Sequence, residues 1–190
     1  PEKSDFQFNW KDFQEKVNSE LLGNLGNLVN RTLIFVNKFY DGTVPESEAD
    51  SLMIKKIKEY EAEITEHLEK AQLRDALRKI LFLSSFGNKA FQEGEPWKTR
   101  ISNPAAAASL IKHLVYLVRD LAIMIEPFLP ETPVKIASFL GNPEMSWDRL
   151  GLFKGSDKIG EPEILFQRLE DDFISELKVK FAGSQADRAA

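Results

Sequence analysis

The sequence predicts an all-α helical bundle. Apolar residues recur at three- and four-residue intervals over long stretches, and capping and breaking residues mark where those stretches end. No segment of convincing length alternates polar and apolar residues, so no strand is expected.

The elements follow in order. Asn9 caps a first helix, with Asp12 adding favourable charge near its start. Phe13, Val17, Leu21, Leu28, Thr32, Phe35 and Phe39 then keep helical spacing as far as the turn at Tyr40-Asp-Gly-Thr-Val-Pro45. A helix of about thirty residues is long for a globular protein. Gly23 and Gly26 each cost it about 1 kcal/mol relative to alanine, which predicts close approach of another helix there. A second helix covers 48–68. A third covers 73–92, with Leu73, Leu77, Ile80 and Leu81 facing inward. Asn103-Pro104 reads as a cap and first-turn proline, opening a helix that runs to Glu126 and is broken by Pro127 and Pro130. Thr132-Pro133 starts a short helix that ends at Leu140-Gly141. Residues 142–160 read as loop, with turn signals at Gly151, Gly155 and Gly160. A last helix is expected over 163–181, carrying Ile164, Leu165, Phe166, Leu169, Phe173 and Leu177, and a disordered tail over 183–190. Residues 1–182 then form one domain of five or six packed helices.

Composition narrows the function. A length of 190 residues suits one domain with a real core. There is no cysteine, which excludes disulfides, thiolate metal sites and cysteine nucleophiles. The most apolar run, 114–129, is interrupted by Arg119, Asp120 and Glu126 and does not read as a membrane span. No basic, apolar leader opens the chain, and a cytoplasmic protein is expected. A start at proline, without methionine, reads as a piece of something longer. The net charge of −5 argues against a general nucleic-acid coat, because phosphate neutralisation supplies most of the affinity of such proteins. It leaves room for recognition of one exposed loop by stacking and base-edge contacts.

Two short motifs suit that task. In Leu25-Gly-Asn-Leu-Val-Asn-Arg31, Asn27 and Arg31 lie four residues apart and share a helix face. With Leu28 at the centre of the buried stripe, Arg31 falls about 60° and Asn27 about 100° to the same side. They form a polar shoulder beside the core. Asparagine offers a donor and an acceptor to a base edge; arginine offers a fixed fork of donors. In Glu95-Pro-Trp97, the proline restricts the backbone that presents the indole, and an indole can stack on an unpaired base. The same residues also fit plainer roles: Asn27 and Arg31 as solvated or intrabundle polar groups, Trp97 as a plug at the end of the bundle. Asn30, Lys98 and Arg100 are near enough to assist. Lys38, Lys89 and Lys112 could touch phosphate, although solubilising surface charge is the preferred reading for them. Glu59, Glu63 and His67 line up at four-residue steps and could contribute to a metal site only with ligands from facing helices. An exposed charged face is preferred, and no metal is assigned. His113 lacks a Glu-x-x-His pattern, and Ser84-Ser85 lacks an identifiable triad partner.

Taken together, these motifs resemble the C-terminal anticodon-binding domain of class I methionyl-tRNA synthetases. The resemblance extends from Phe13-Gln-Glu-Lys-Val-Asn-Ser-Glu-Leu21 through Leu25–Arg31 and Glu95-Pro-Trp97 to Pro127-Phe-Leu-Pro130 and the acidic segment 165–172. It implies the anticodon-binding helical bundle of class Ia aminoacyl-tRNA synthetases. It further implies that Trp97 stacks on the first anticodon base, a cytosine, and that Asn27 and Arg31 recognise base edges of the CAU anticodon of tRNA(Met). The family's His-Ile-Gly-His-like and Lys-Met-Ser-Lys-Ser-like elements do not occur, nor does a glycine-rich phosphate loop. The resemblance therefore covers the anticodon-binding part alone. No catalytic residue or cofactor is expected in this chain, which should be inactive by itself. ATP, Mg2+ and methionine would be used by the catalytic domain of a longer parent. In that family the segment after the bundle packs toward the catalytic domain, so the expected partners are the tRNA(Met) anticodon loop and the chain's own catalytic domain, with neither membrane nor DNA. Two other readings compete: a helical protein–protein interaction or scaffold module without RNA function, and the equivalent domain of a class I synthetase for another amino acid.

Overall fold

In a computed structural model that describes residues 7–154 and 157–181, the first helical signal is realised in three parts. Asn9 caps α1 (Trp10–Lys16), its side-chain oxygen accepting from the Lys11 amide at 2.8 Å and the Asp12 amide at 3.3 Å. The chain then widens into a π-helical stretch, Val17–Gly26, and returns to α geometry in α2 (Asn27–Tyr40). Such stretches are usually single turns, so ten residues is long. The glycines suit the wider turn. A Cβ at Gly23 would come within 3.2 Å of the Asn18 carbonyl oxygen, and one at Gly26 within 3.1 Å of that of Leu21. Each oxygen lies five residues back on the same helix. The expectation that both glycines admit another helix is thus corrected: Gly23 meets its own π turn, and Gly26 is additionally approached by the Phe166 ring.

The altered pitch shifts the apolar stripe. Leu25 and Gly26 are buried, Val17 and Leu21 half-buried, and Phe13 turns outward against Phe8 and Trp10. From Leu28 onward the expected inward positions hold: Leu28, Thr32 and Phe35 are buried and Phe39 is half-buried.

Asp50 caps α3 (Ser51–Glu69) by accepting from the Leu52 and Met53 amides. The remaining helices are α4 (Leu73–Gly94), α5 (Pro96–Ser102), α6 (Pro104–Ile125), α7 (Glu131–Phe139) and α8 (Asp171–Lys180), with a 3-10 turn at Trp147–Arg149. Among the described residues the strand-like pairing is one isolated bridge, Thr43 with Lys158. Leu73 is exposed in the first turn of α4, contrary to expectation. The helix expected over 163–181 begins only at Asp171. Before it, residues 161–170 form a non-helical strap, bent at 165–166. The Leu169 carbonyl accepts from Gln14 and Asn18 side chains at 3.0 and 2.9 Å, and its amide donates to the Asn18 oxygen at 2.8 Å. Backbone groups already paired with side chains of the first helical segment do not need helical partners. Leu165 is buried and Phe166 half-buried, while Ile164 points to solvent. The expected tail at 183–190 lies outside the described residues.

Helix α6 is the axis of the core, with residues 113–125 buried all round. It packs against α2, α4, α5 and α7. At Gly87 the approach is close from two sides: a Cβ there would lie 2.7 Å from both Leu28 Cδ2 and Leu117 Cδ2, so α2, α4 and α6 meet at a residue without a side chain. Gly87→Ala should destabilise the domain by about 1–3 kcal/mol through overpacking, despite alanine's better helix propensity. Denaturant melts of the two proteins check this, and an unchanged or raised midpoint would refute it.

The core also holds a charged centre. Arg119 and Asp120, both essentially inaccessible, pair at 2.8 Å. Asp120 accepts the Gly151 amide at 3.0 Å, and Arg119 donates to the carbonyls of Arg149, Leu152 and Lys154. The loop after α7 is fastened to α6 in this way. Glu61 of α3 is buried beside them; desolvation, then a hydrogen bond with Asp120 and its charge, push the Glu61 carboxyl up to about 8. Between the ordinary carboxyl value and about 8 the folded protein holds a proton that the unfolded chain has lost. Stability should therefore fall as pH rises through that window. Glu61→Gln keeps a neutral donor toward Asp120, so the decline in Tm from about pH 5 to about pH 8 should shrink in the variant. Parallel thermal melts decide it; the same decline in both proteins would show that Glu61 is not the titrating group.

Candidate nucleic-acid interface

Helix α2 presents Asn27 and Arg31 one turn apart, Asn27 exposed and Arg31 half-buried. The Arg31 guanidinium carbon lies 4.0 Å from the centroid of the Phe91 ring, and Nη2 donates to Gln92 Oε1 at 3.3 Å. Partial burial lowers the Arg31 pKa from its ordinary value, but a guanidinium remains charged near neutrality. The Phe91 ring stacks in turn on Trp97, with centroids 6.0 Å apart and planes at 29°. Distances of 4.0 and 6.0 Å place the Arg31 guanidinium at most about 10 Å from the Trp97 ring. The three residues selected from the sequence thus stand on one face, with Phe91 joining two of them.

Trp97 is held more firmly than a turn would hold it. Glu95 adopts a left-handed conformation (φ 40°, ψ 55°) that ends α4, and Pro96 opens α5. The tryptophan is therefore the second residue of a short helix. The Glu95 carbonyl accepts from the Lys98 and Thr99 amides at 2.8 and 2.9 Å, and the Thr99 hydroxyl donates to Gly94 at 3.0 Å. Gly94 itself is pressed against Leu110 of α6. The indole is half-buried, so part of it remains open.

The rings continue inward. Phe35 meets Phe91 edge-to-face at 5.8 Å and Phe39 at 4.6 Å. The Arg100 guanidinium carbon sits 4.2 Å from the Phe39 centroid, and Lys38 Nζ lies 5.3 Å from the same ring. A run of four aromatic rings is thereby edged by Arg31, Arg100 and Lys38. Asn30 is exposed; with Asn27 it lines an open cavity of about 510 Å3 bounded by Gly23, Gly26 and the strap residues Ile164, Leu165 and Phe166. Lys98 pairs with Glu95 at 2.7 Å and Lys89 with Glu93 at 3.7 Å. Lys112 is committed to structure: it pairs with Glu46 at 3.0 Å and ties the segment before α3 to α6. On α3, Glu59 pairs with Lys56, Glu63 with Lys79, and His67 shares a hydrogen bond with Gln72.

Sequence reasoning missed four contributors: Asn24, Asn88, Phe91 and Gln92. Asn27 Nδ2 donates to Asn88 Oδ1 at 2.9 Å, and Asn88 Nδ2 donates to the Asn24 carbonyl at 2.9 Å. Asn88, Phe91 and Gln92 are spaced to share one face of α4. That spacing was available as a signal, but nothing local says that the face turns toward α2. Chemically, the assembled surface offers a stacking platform, a forked cationic donor and an oriented amide. That set suits a planar, unsaturated ligand read at its edge.

Comparison with known proteins shows the family. The family model described as the anticodon binding domain of methionyl tRNA ligase matches residues 41–186. The chain belongs to that family. A second model, tRNA synthetases class I (M), matches residues 1–33, so Asn27 and Arg31 fall in its stretch and Trp97 in the first. A methionine–tRNA ligase of Borreliella burgdorferi (strain ZS7) is 45% identical over 186 residues, covering 97% of this chain and 25% of the relative. One of Treponema denticola is 40% identical over 219 residues, covering 99% of this chain and 28% of the relative. The chain spans about a quarter of the length of these curated relatives. Among solved structures, the free form of Mycobacterium tuberculosis methionyl-tRNA synthetase superposes with a TM-score of 0.78, at 24% identity, over 86% of this chain and 35% of that one. The all-α bundle expected from the sequence is thus the fold of this methionyl-tRNA ligase domain, shared with that structure.

Proposed function

We propose that this domain recognises the CAU anticodon of tRNA(Met) through Asn27, Arg31 and Trp97. The observation that carries the reading is their convergence on one face, with the Phe91 ring contacting both Arg31 and Trp97. Trp97 stacks on the first anticodon base, the cytosine. Arg31 and Asn27 address base edges from the neighbouring helix, and Asn30, Lys98 and Arg100 supply further RNA contacts. Specificity falls to the polar pair, because stacking on an indole accepts any base.

The domain spans residues 1–182 and works as part of a longer methionine–tRNA ligase. There a separate catalytic domain activates methionine with ATP and Mg2+ in the cytoplasm. The exposed apolar residues Ile164 of the strap and Phe173 of α8 suit docking against that domain. No described helix is long and apolar enough to cross a membrane.

Binding of a labelled anticodon stem-loop bearing CAU, against one with its cytosine replaced, tests the reading. The wild type should prefer the CAU loop. Trp97→Ala should weaken binding of that loop by about 1–3 kcal/mol, the usual worth of one stacked base. Equal binding of both loops, unaffected by the substitution, would remove the site from this face.

A further inference from the structure

The amides between the first helical segment and α4 form a directional chain. Asn24 Nδ2 donates to the Leu81 carbonyl at 2.9 Å. Asn88 Nδ2 donates to the Asn24 carbonyl at 2.9 Å and to Asn24 Oδ1 at 3.2 Å, with the Ser84 carbonyl 3.4 Å away. Asn27 Nδ2 then donates to Asn88 Oδ1 at 2.9 Å. Backbone carbonyls start this chain, and a carbonyl can only accept. Asn24 must turn its nitrogen toward Leu81. Asn88 must turn its nitrogen toward Asn24, which leaves its oxygen for Asn27. Were the Asn27 carboxamide to rotate by half a turn, its oxygen would face the Asn88 oxygen, and a hydrogen bond would become a repulsion.

We infer that Asn88 is a positioning residue that locks the exposed Asn27 carboxamide with its oxygen toward the ligand, so that the site selects a base whose edge carries an exocyclic amine. The inference rests on the reading that this face holds an anticodon base. Asn27 is exposed, and among the described residues its oxygen accepts no hydrogen bond. An asparagine free to rotate reads either polarity of edge. Cytosine offers an amine where uracil offers a carbonyl, so a free amide would tell them apart poorly. A fixed one accepts from the amine and meets the carbonyl oxygen to oxygen. The discrimination is thus built into α4, whose Asn88 need not touch the ligand.

Two variants and two readouts test this on the full chain. In Asn88→Ala the acceptor is gone. In Asn88→Ser the hydroxyl can donate or accept, so a polar group remains without fixed polarity. Both variants should lower the preference for a stem-loop with cytosine over its uracil counterpart by about tenfold, with the cytosine loop still bound. In RNA-free protein, NMR should show the Asn27 side-chain amide resonances shifted in both variants, with backbone signals of the core in place. Unaltered Asn27 side-chain signals, or equal loss of binding to both loops, would overturn the proposal. If the signals shift while the wild type itself fails to distinguish the loops, the anticodon reading fails and the orientation of Asn27 stands.

Discussion

The contact between Leu28 and Gly87 governs the proposed interface. With no Cβ at Gly87, Leu28 of α2 seats directly on the backbone of α4. Asn27 and Asn88 are the chain neighbours of that contact, and they fall within hydrogen-bond distance because of it. One turn further along both helices, Arg31 reaches Phe91 and Gln92. The pairings rise together along α2 and α4, so one close approach sets the register of all of them. A larger residue at 87 would separate the helices by a fraction of the hydrogen-bond length and loosen each pair together. Core packing and ligand recognition are therefore one constraint here.

The phase of α2 has a second determinant. A π-helical stretch ends at Gly26, immediately before Asn27. Wider turns rotate everything that follows relative to α1, so this stretch decides which way the polar shoulder looks while α1 stays tied to the strap through Gln14. Gly26 contributes to both sides, since it admits its own π turn and gives Phe166 a place against the helix. Elsewhere in the core, Arg119 and Asp120 do comparable work with charge, holding the loop after α7 by bonding three of its carbonyls and one amide.

These devices explain what was legible in the sequence and what was not. The Asn9 cap, the Asn103-Pro104 start of α6 and the inward Leu28, Thr32 and Phe35 follow from local rules, and local rules found them. The π turn did not announce itself, because apolar spacing at Val17 and Leu21 fits an α-helix almost as well. Residues 163–170 carry a helical apolar pattern, yet side chains of the first helical segment, more than 150 positions away in the chain, take the backbone groups of Leu169 and the segment is not helical. No local rule sees that competition. Helix α5 was too short to separate from a turn by periodicity. For the interface, Asn27, Arg31 and Trp97 were chosen by residue type and family likeness, whereas Asn88, Phe91 and Gln92 required knowing that α4 faces α2.

The remaining tension is electrostatic: a protein of net charge −5 is proposed to hold a polyanion. The interface resolves it locally. Arg31 rests on a ring and a neutral amide, and Arg100 on another ring, so their described partners include no carboxylate that would cancel them at close range. Lysines elsewhere on the surface are treated differently, since Lys56, Lys70, Lys79 and Lys89 each pair with a glutamate. Beside the rings Lys98 is likewise paired, with Glu95, so the positive charge left available there includes that of the two guanidiniums. A ring also holds a guanidinium without neutralising it, because the attraction is to the quadrupole of the aromatic face. The acidic remainder repels nucleic acid in general, which suppresses backbone-driven binding wherever the aromatic run is absent. On the proposed reading, affinity is confined to a loop that can splay its bases onto Trp97, and selectivity gains from the very charge that seemed to argue against RNA.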